Sequence, residues 1–194
     1  AVVEPEVVSK VLATSPVEAG ISQKVLNRLA NESIKYETYK VSLLSFACGT
    51  AGLPGLVPDL AQYYAHCFRI IQKLGYLYGY PEMISEDAIS DAEKNQILIF
   101  LGIMFGVREA NDFVMKFAVN FSEKIIKDIG KKALTKTAWY PVLKEVLKQI
   151  GVKMTKKILE GFVSKTVPIV GGGISGVITY EGYSTGAKRM HKFF

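Results

Sequence analysis

Five polar residues recur at helical spacing within one short stretch of this 194-residue chain: Asp59, Gln62, His66, Arg69 and Lys73 step by three, four, three and four. That period puts them on one face of an α-helix. The chemistry open to such a stripe is general-base catalysis by His66, with Arg69 or Lys73 clamping an oxyanion or phosphate, which would make the chain a hydrolase or transferase acting on lipids. Two arguments weigh against it. No nucleophile motif accompanies His66, and an amphipathic helix needs a polar face in any case, with Asp59 near its start and Lys73 near its end where the helix dipole favours them. The expectation is therefore a solvated stripe in which Asp59 caps the helix start, His66 is not catalytic, and no catalytic residue is assigned. His191 is the only other histidine, and Cys48 and Cys67 lack metal-ligand spacing, so neither a metal nor a cofactor is expected. Glu181, flanked by Tyr180 and Tyr183, is the remaining acid of interest, and pairing with a lysine is its ordinary role.

The helix carrying this stripe is bounded by strong local signals. Gly52, Pro54, Gly55 and Pro58 form a structural loop before Asp59, because proline lacks a donor and glycine costs about 1 kcal/mol inside a helix. A start near Val57 to Asp59 follows, and Gly79 with Pro81 supplies the stop. Along the opposite face Leu60, Tyr64, Cys67, Ile71, Leu74 and Tyr78 keep the 3.6-residue period of a buried stripe. Further helices are predicted near 6 to 13, 22 to 48, 91 to 106, 109 to 129, 138 to 150, 152 to 164 and 168 to 190, with a break in the second near Asn31 and Ser33. Ser90 and Glu93 form a capping box for the helix at 91. No strand pattern stands out. The fold class expected is all-α: a single compact domain over 1 to 194, built as a bundle of about seven to eight helices.

Glycine spacing refines the packing. Gly102 and Gly106, Gly172 and Gly176, and Gly182 and Gly186 each form G-x-x-x-G, which permits close helix approach or leaves room for a ligand chain. The expected site is an apolar groove for a lipid or for a partner's apolar segment, lined by Leu60, Tyr64, Cys67, Ile71, Leu101, Phe105, Gly172, Gly176 and Tyr180.

The order of the front block, AGLPGLVPDLAQYYAHCFRIIQKLGYLYGYPE from Ala51 to Glu82, resembles the EcsC family of bacterial proteins. The closing segment from Val142 to Tyr180, with its I-G step between basic helices and its V-P-I-V-G-G-G run, is similar to that family's closing pattern, and the resemblance covers roughly residues 40 to 190. What it implies is an all-helical module associated with bacterial membranes or membrane transport systems. It carries over no catalytic residue.

Charge and composition point the same way. The net charge is +6 and the sequence pI about 9.2, with a mean hydropathy of +0.20 at the apolar end of soluble proteins. From Ser122 to Glu160 ten lysines face four acids, a surplus equal to that of the whole chain. Lys124, Lys127 and Lys131, and then Lys144, Lys148, Lys153 and Lys157, form the expected membrane-surface set, since basic amphipathic helices suit anionic headgroups. Nucleic acid is disfavoured as a partner, because the block holds no arginine, has no interleaved aromatics and matches no recognised motif. The two cysteines read as buried thiols of a reducing compartment, no secretory signal is apparent, and the uncharged run from Val41 to Pro58 is too short and too rich in glycine and proline to span a bilayer. The expectation is a cytoplasmic protein peripheral to the membrane, whose partner is an anionic surface or lipid. A membrane protein is the other partner considered, which would make the chain an adaptor for a transporter.

Overall fold

The computed structural model describes residues 5–51, 56–80, 91–108, 110–112, 145, 148 and 168–194. Five helices are defined there: α1 (Pro5–Ala13), α2 (Gln23–Thr50), α3 (Leu56–Leu77), α4 (Asp91–Phe105) and α5 (Pro168–Phe193). No strand occurs among the described residues, so the described structure is all-α. The helix predicted near 152 to 164, and nearly all of those near 109 to 129 and 138 to 150, lie outside the described residues, as does the 52–55 loop with Gly52, Pro54 and Gly55.

Local chemistry sets the boundaries. Helix α3 begins at Leu56, slightly earlier than expected, with Pro58 in its first turn. That position tolerates proline because the first N–H groups of a helix have no intrahelical partner to lose. Its end is a Schellman turn: Gly79 takes φ 81°, Tyr80 N–H donates to Gly75 C=O at 2.9 Å, and Gly79 N–H to Tyr76 C=O at 3.2 Å. Helix α4 closes in the same way on Gly106, φ 74°, with Val107 N–H on Gly102 C=O at 2.8 Å. Gly106 is thus a stop signal, and the Gly102/Gly106 pair does not form a flat helix face. Helix α2 runs unbroken through Asn31 and Ser33, and the Asn31 amide folds back onto its own helix and donates to Asn27 C=O at 2.8 Å.

Helix α4 is the apolar centre, buried at nearly every position from Ile97 to Phe105, the all-round hydrophobicity of a core helix. Cys67, Ile70, Ile71 and Leu74 of α3, Tyr183, Ala187 and Met190 of α5, and Ala30, Ile34 and Val41 of α2 complete the same core. Each large aliphatic side chain so buried contributes about 1.5 to 3 kcal/mol. Helices α4 and α5 approach closely at Gly186, where a Cβ would stand 2.8 Å from the Met104 carbonyl oxygen. Arg189 fixes the crossing by donating from Nη1 to that same oxygen at 2.9 Å, a cation on the C-terminal turn of α4. No described helix is long and apolar enough to cross a membrane.

Candidate functional site

The inner face of α2 is part apolar and part polar. Leu26, Ala30, Ile34, Val41 and Gly49 share their buried stripe with Glu37, Thr38 and Ser45. A helix with a carboxylate on its inward face must be met by donors, and α3 supplies them. This corrects the expectation of a solvated stripe: Asp59 and His66 are buried against α2, while Arg69 and Lys73 are half-exposed at the edge of the same seam.

Two clusters make up the seam. In the first, Ser45 donates from Oγ to Asp59 Oδ1 and accepts from Gln62 Nε2 at 3.1 Å and from Thr179 Oγ1 of α5 at 2.9 Å. Gln62 Nε2 also reaches Asp59 Oδ1 at 3.0 Å. Ser45 therefore joins three helices, α2, α3 and α5, with Asp59 in the first turn of α3 as its acceptor. Thr38 Oγ1 and Gln62 Oε1 are buried here with no hydrogen-bond partner among the described residues.

In the second cluster the Glu37 carboxylate is fully enclosed. Its Oε2 meets His66 Nδ1 at 2.6 Å and lies 3.8 Å from Arg69 Nη1, and its Oε1 accepts from Lys73 Nζ at 2.6 Å. Burial alone would push this carboxyl up, but the hydrogen bonds and charges of Lys73 and His66 outweigh it and hold Glu37 below its ordinary value. Glu37 is thus an ionised acceptor, which makes Nδ1 of His66 the donor. Tyr183 of α5 then donates to the His66 backbone carbonyl at 2.7 Å, and its own phenol is pushed far up by burial.

A carboxylate-oriented histidine is half of a hydrolytic apparatus, but the other half is not present among the described residues. No hydroxyl or thiol is hydrogen-bonded to the His66 ring there, and the ring is closed off from solvent. What the cluster can do is hold charge. Outside it, Lys40 Nζ sits 4.3 Å and Lys73 Nζ 5.7 Å from the centre of the exposed Tyr36 ring. Beyond Tyr36 the outward face of α2 carries exposed Tyr39, Leu43, Leu44 and Phe46, and α5 exposes Val177, Ile178 and Tyr180 beside it.

The residues expected to line a groove separate. Cys67, Ile71, Leu101 and Phe105 come together in the core, and Tyr64 packs edge-on to Phe105 with ring centres 6.1 Å apart. Gly176 instead faces α2, where a Cβ would stand 3.3 Å from Ser42 O and 3.4 Å from Phe46 Cβ, and Tyr180 points to solvent. Leu60 and Gly172 lie on α3 and α5 respectively, their side-chain surroundings outside the described residues. Of the basic set, Lys148 is helical, exposed and 3.4 Å from Glu145. Lys124, Lys127, Lys131, Lys144, Lys153 and Lys157 lie outside the described residues.

Glu37, Lys40, Ser45 and Tyr36 were not foreseen as site residues. The signal for Glu37 was present: it falls in register with Ala30, Ile34 and Val41, and an acid on an apolar stripe is a buried charge in need of a partner. Comparison with protein-family models, with curated proteins and with solved structures finds no match, so the resemblance to EcsC proteins rests on the residues of the front and closing blocks.

Proposed function

We propose that the chain is a peripheral membrane module that lays the outward face of α2, continued on α5, against an anionic bilayer. The supporting observation is the inversion of that face. Tyr36, Tyr39, Leu43 and Phe46 step by three, four and three along one outward side of α2, each exposed by 44% or more, where a helix back is normally charged. Aromatic and aliphatic side chains beside cations are what the headgroup boundary accommodates. The net charge of +6 supplies the long-range attraction to anionic lipid, and it equals the surplus of the lysine-rich segment between Ser122 and Glu160. The lipid would meet a surface rather than enter the groove expected from sequence, because four of that groove's residues fill the core with one another.

The test replaces Tyr39, Leu43 and Phe46 together by serine and follows flotation with phosphatidylserine vesicles. These side chains are exposed, so thermal unfolding should barely change while flotation is lost. Undiminished flotation of the triple variant would contradict the reading. Failure of the wild type to bind any vesicle would assign the face to a protein partner.

A further inference from the structure

The Glu37 cluster leaves positive charge unspent at its mouth. Two permanent cations, Arg69 and Lys73, meet the one carboxylate, and Lys73 shares the Tyr36 ring with a third, Lys40. Both carboxylate oxygens are already engaged, by His66 and by Lys73. Arg69 lies 3.8 Å from Glu37, beyond hydrogen-bonding distance, so among the described residues its half-exposed guanidinium fork keeps its donors unspent, and Lys73 keeps two of its three. No other acid competes for them along these helices. Apart from Glu37, α2 carries only Glu32, set against Arg28 at 3.9 Å, and α3 only Asp59, held by Ser45 and Gln62. The anion is sunk and the cations are raised, so the seam presents net positive charge outward, and Glu37 preorganises it by holding Lys73 in place.

We propose that Lys40, Arg69 and Lys73 form a binding site for a phosphate group. A planar guanidinium matches two phosphate oxygens at once, and flanking ammonium groups satisfy the rest. The site borders the apolar face of α2, so the phosphate is that of a lipid headgroup whose chains stay in the bilayer under Tyr39 and Leu43. This identification of the source rests on the membrane reading above; the site itself does not.

The experiment has two arms. In the first, vesicles containing phosphatidic acid are titrated with wild type, with the Lys40→Gln/Arg69→Gln variant, and with a control variant, Lys24→Gln/Lys35→Gln, that loses the same charge from exposed positions elsewhere on α2. Lys73 is left in place so that Glu37 keeps its partner. The site variant should bind about thirty-fold more weakly, the scale expected for two cations at a membrane surface, and the control several-fold less affected. Equal losses in both variants would overturn the site while leaving the membrane reading intact. In the second arm inorganic phosphate is titrated by calorimetry without lipid. Binding to wild type but not to the site variant, with no vesicle binding by either, would uphold the phosphate site, make its source a soluble phosphate ester and sink the membrane reading. No difference between wild type and site variant in either arm would overturn the proposal.

Discussion

At the scale of single residues, Glu37 sets the terms of the α2–α3 contact, since a carboxylate with no solvent access persists only if donors surround it. Glu37→Ala should cost about 1 to 3 kcal/mol, the range for leaving buried donors unpaired, because Lys73 and Arg69 are half-exposed and can turn to water. A fully buried pair would lose more. His66→Ala should destabilise similarly by stripping Glu37 of a donor, whereas the sequence alone suggested that its loss would be harmless. Chemical denaturation of both variants checks this. The pH dependence follows from two groups, both lowered in the folded state: burial lowers His191, and Glu37 is lowered as described above. For each, the folded form binds its proton less readily than the unfolded chain, so the stability it contributes is present above its ordinary value and lost as pH falls. Stability should therefore decline first below pH 6.5 through His191, whose Nε2 lies 2.8 Å from the Tyr78 hydroxyl, and again below pH 4.5 through Glu37. Melting temperatures across pH should show the first decline vanish in His191→Gln and the second in Glu37→Gln.

At the scale of elements, α5 shows how one sequence pattern serves different ends. Gly186 and Gly182 are one turn apart in the same G-x-x-x-G, yet a Cβ at Gly186 meets the Met104 carbonyl and one at Gly182 meets nothing within 4 Å. Gly186→Ala should therefore destabilise by about 1 to 3 kcal/mol, the cost of overpacking against backbone. Gly182→Ala should stabilise by up to about 1 kcal/mol through helix propensity. Thermal unfolding of the pair distinguishes a packing role from a generic glycine effect. The elements themselves were legible because glycine and proline punctuate them at Gly79 and Pro168, and period marks the buried stripe of α3, whereas Gly106, read as half of a G-x-x-x-G face, is a helix stop. The direction of the polar stripe was not legible. Periodicity divides a helix into two faces, but which face turns inward depends on the neighbour, and α2 meets α3 with Glu37 and Ser45 on its buried side. For the same reason Cys67, Ile71, Leu101 and Phe105 read equally well as groove walls or as core.

At the scale of the whole molecule, an all-α framework turns an unusually apolar and aromatic helix face outward, with cations at its edge and a lysine-rich segment elsewhere in the chain. On the membrane reading proposed above, charge decides which bilayer is bound, and with a surplus of six the electrostatic contribution should dominate at low salt, each surface cation contributing about 1 kcal/mol. The most direct measurement is flotation of the wild-type protein with vesicles of phosphatidylcholine alone and with vesicles containing phosphatidylserine, each at low and high salt. The account predicts strong binding to the anionic vesicles that weakens as salt rises, and little binding to the neutral ones. Equal partitioning to both, or no flotation with either, would contradict it.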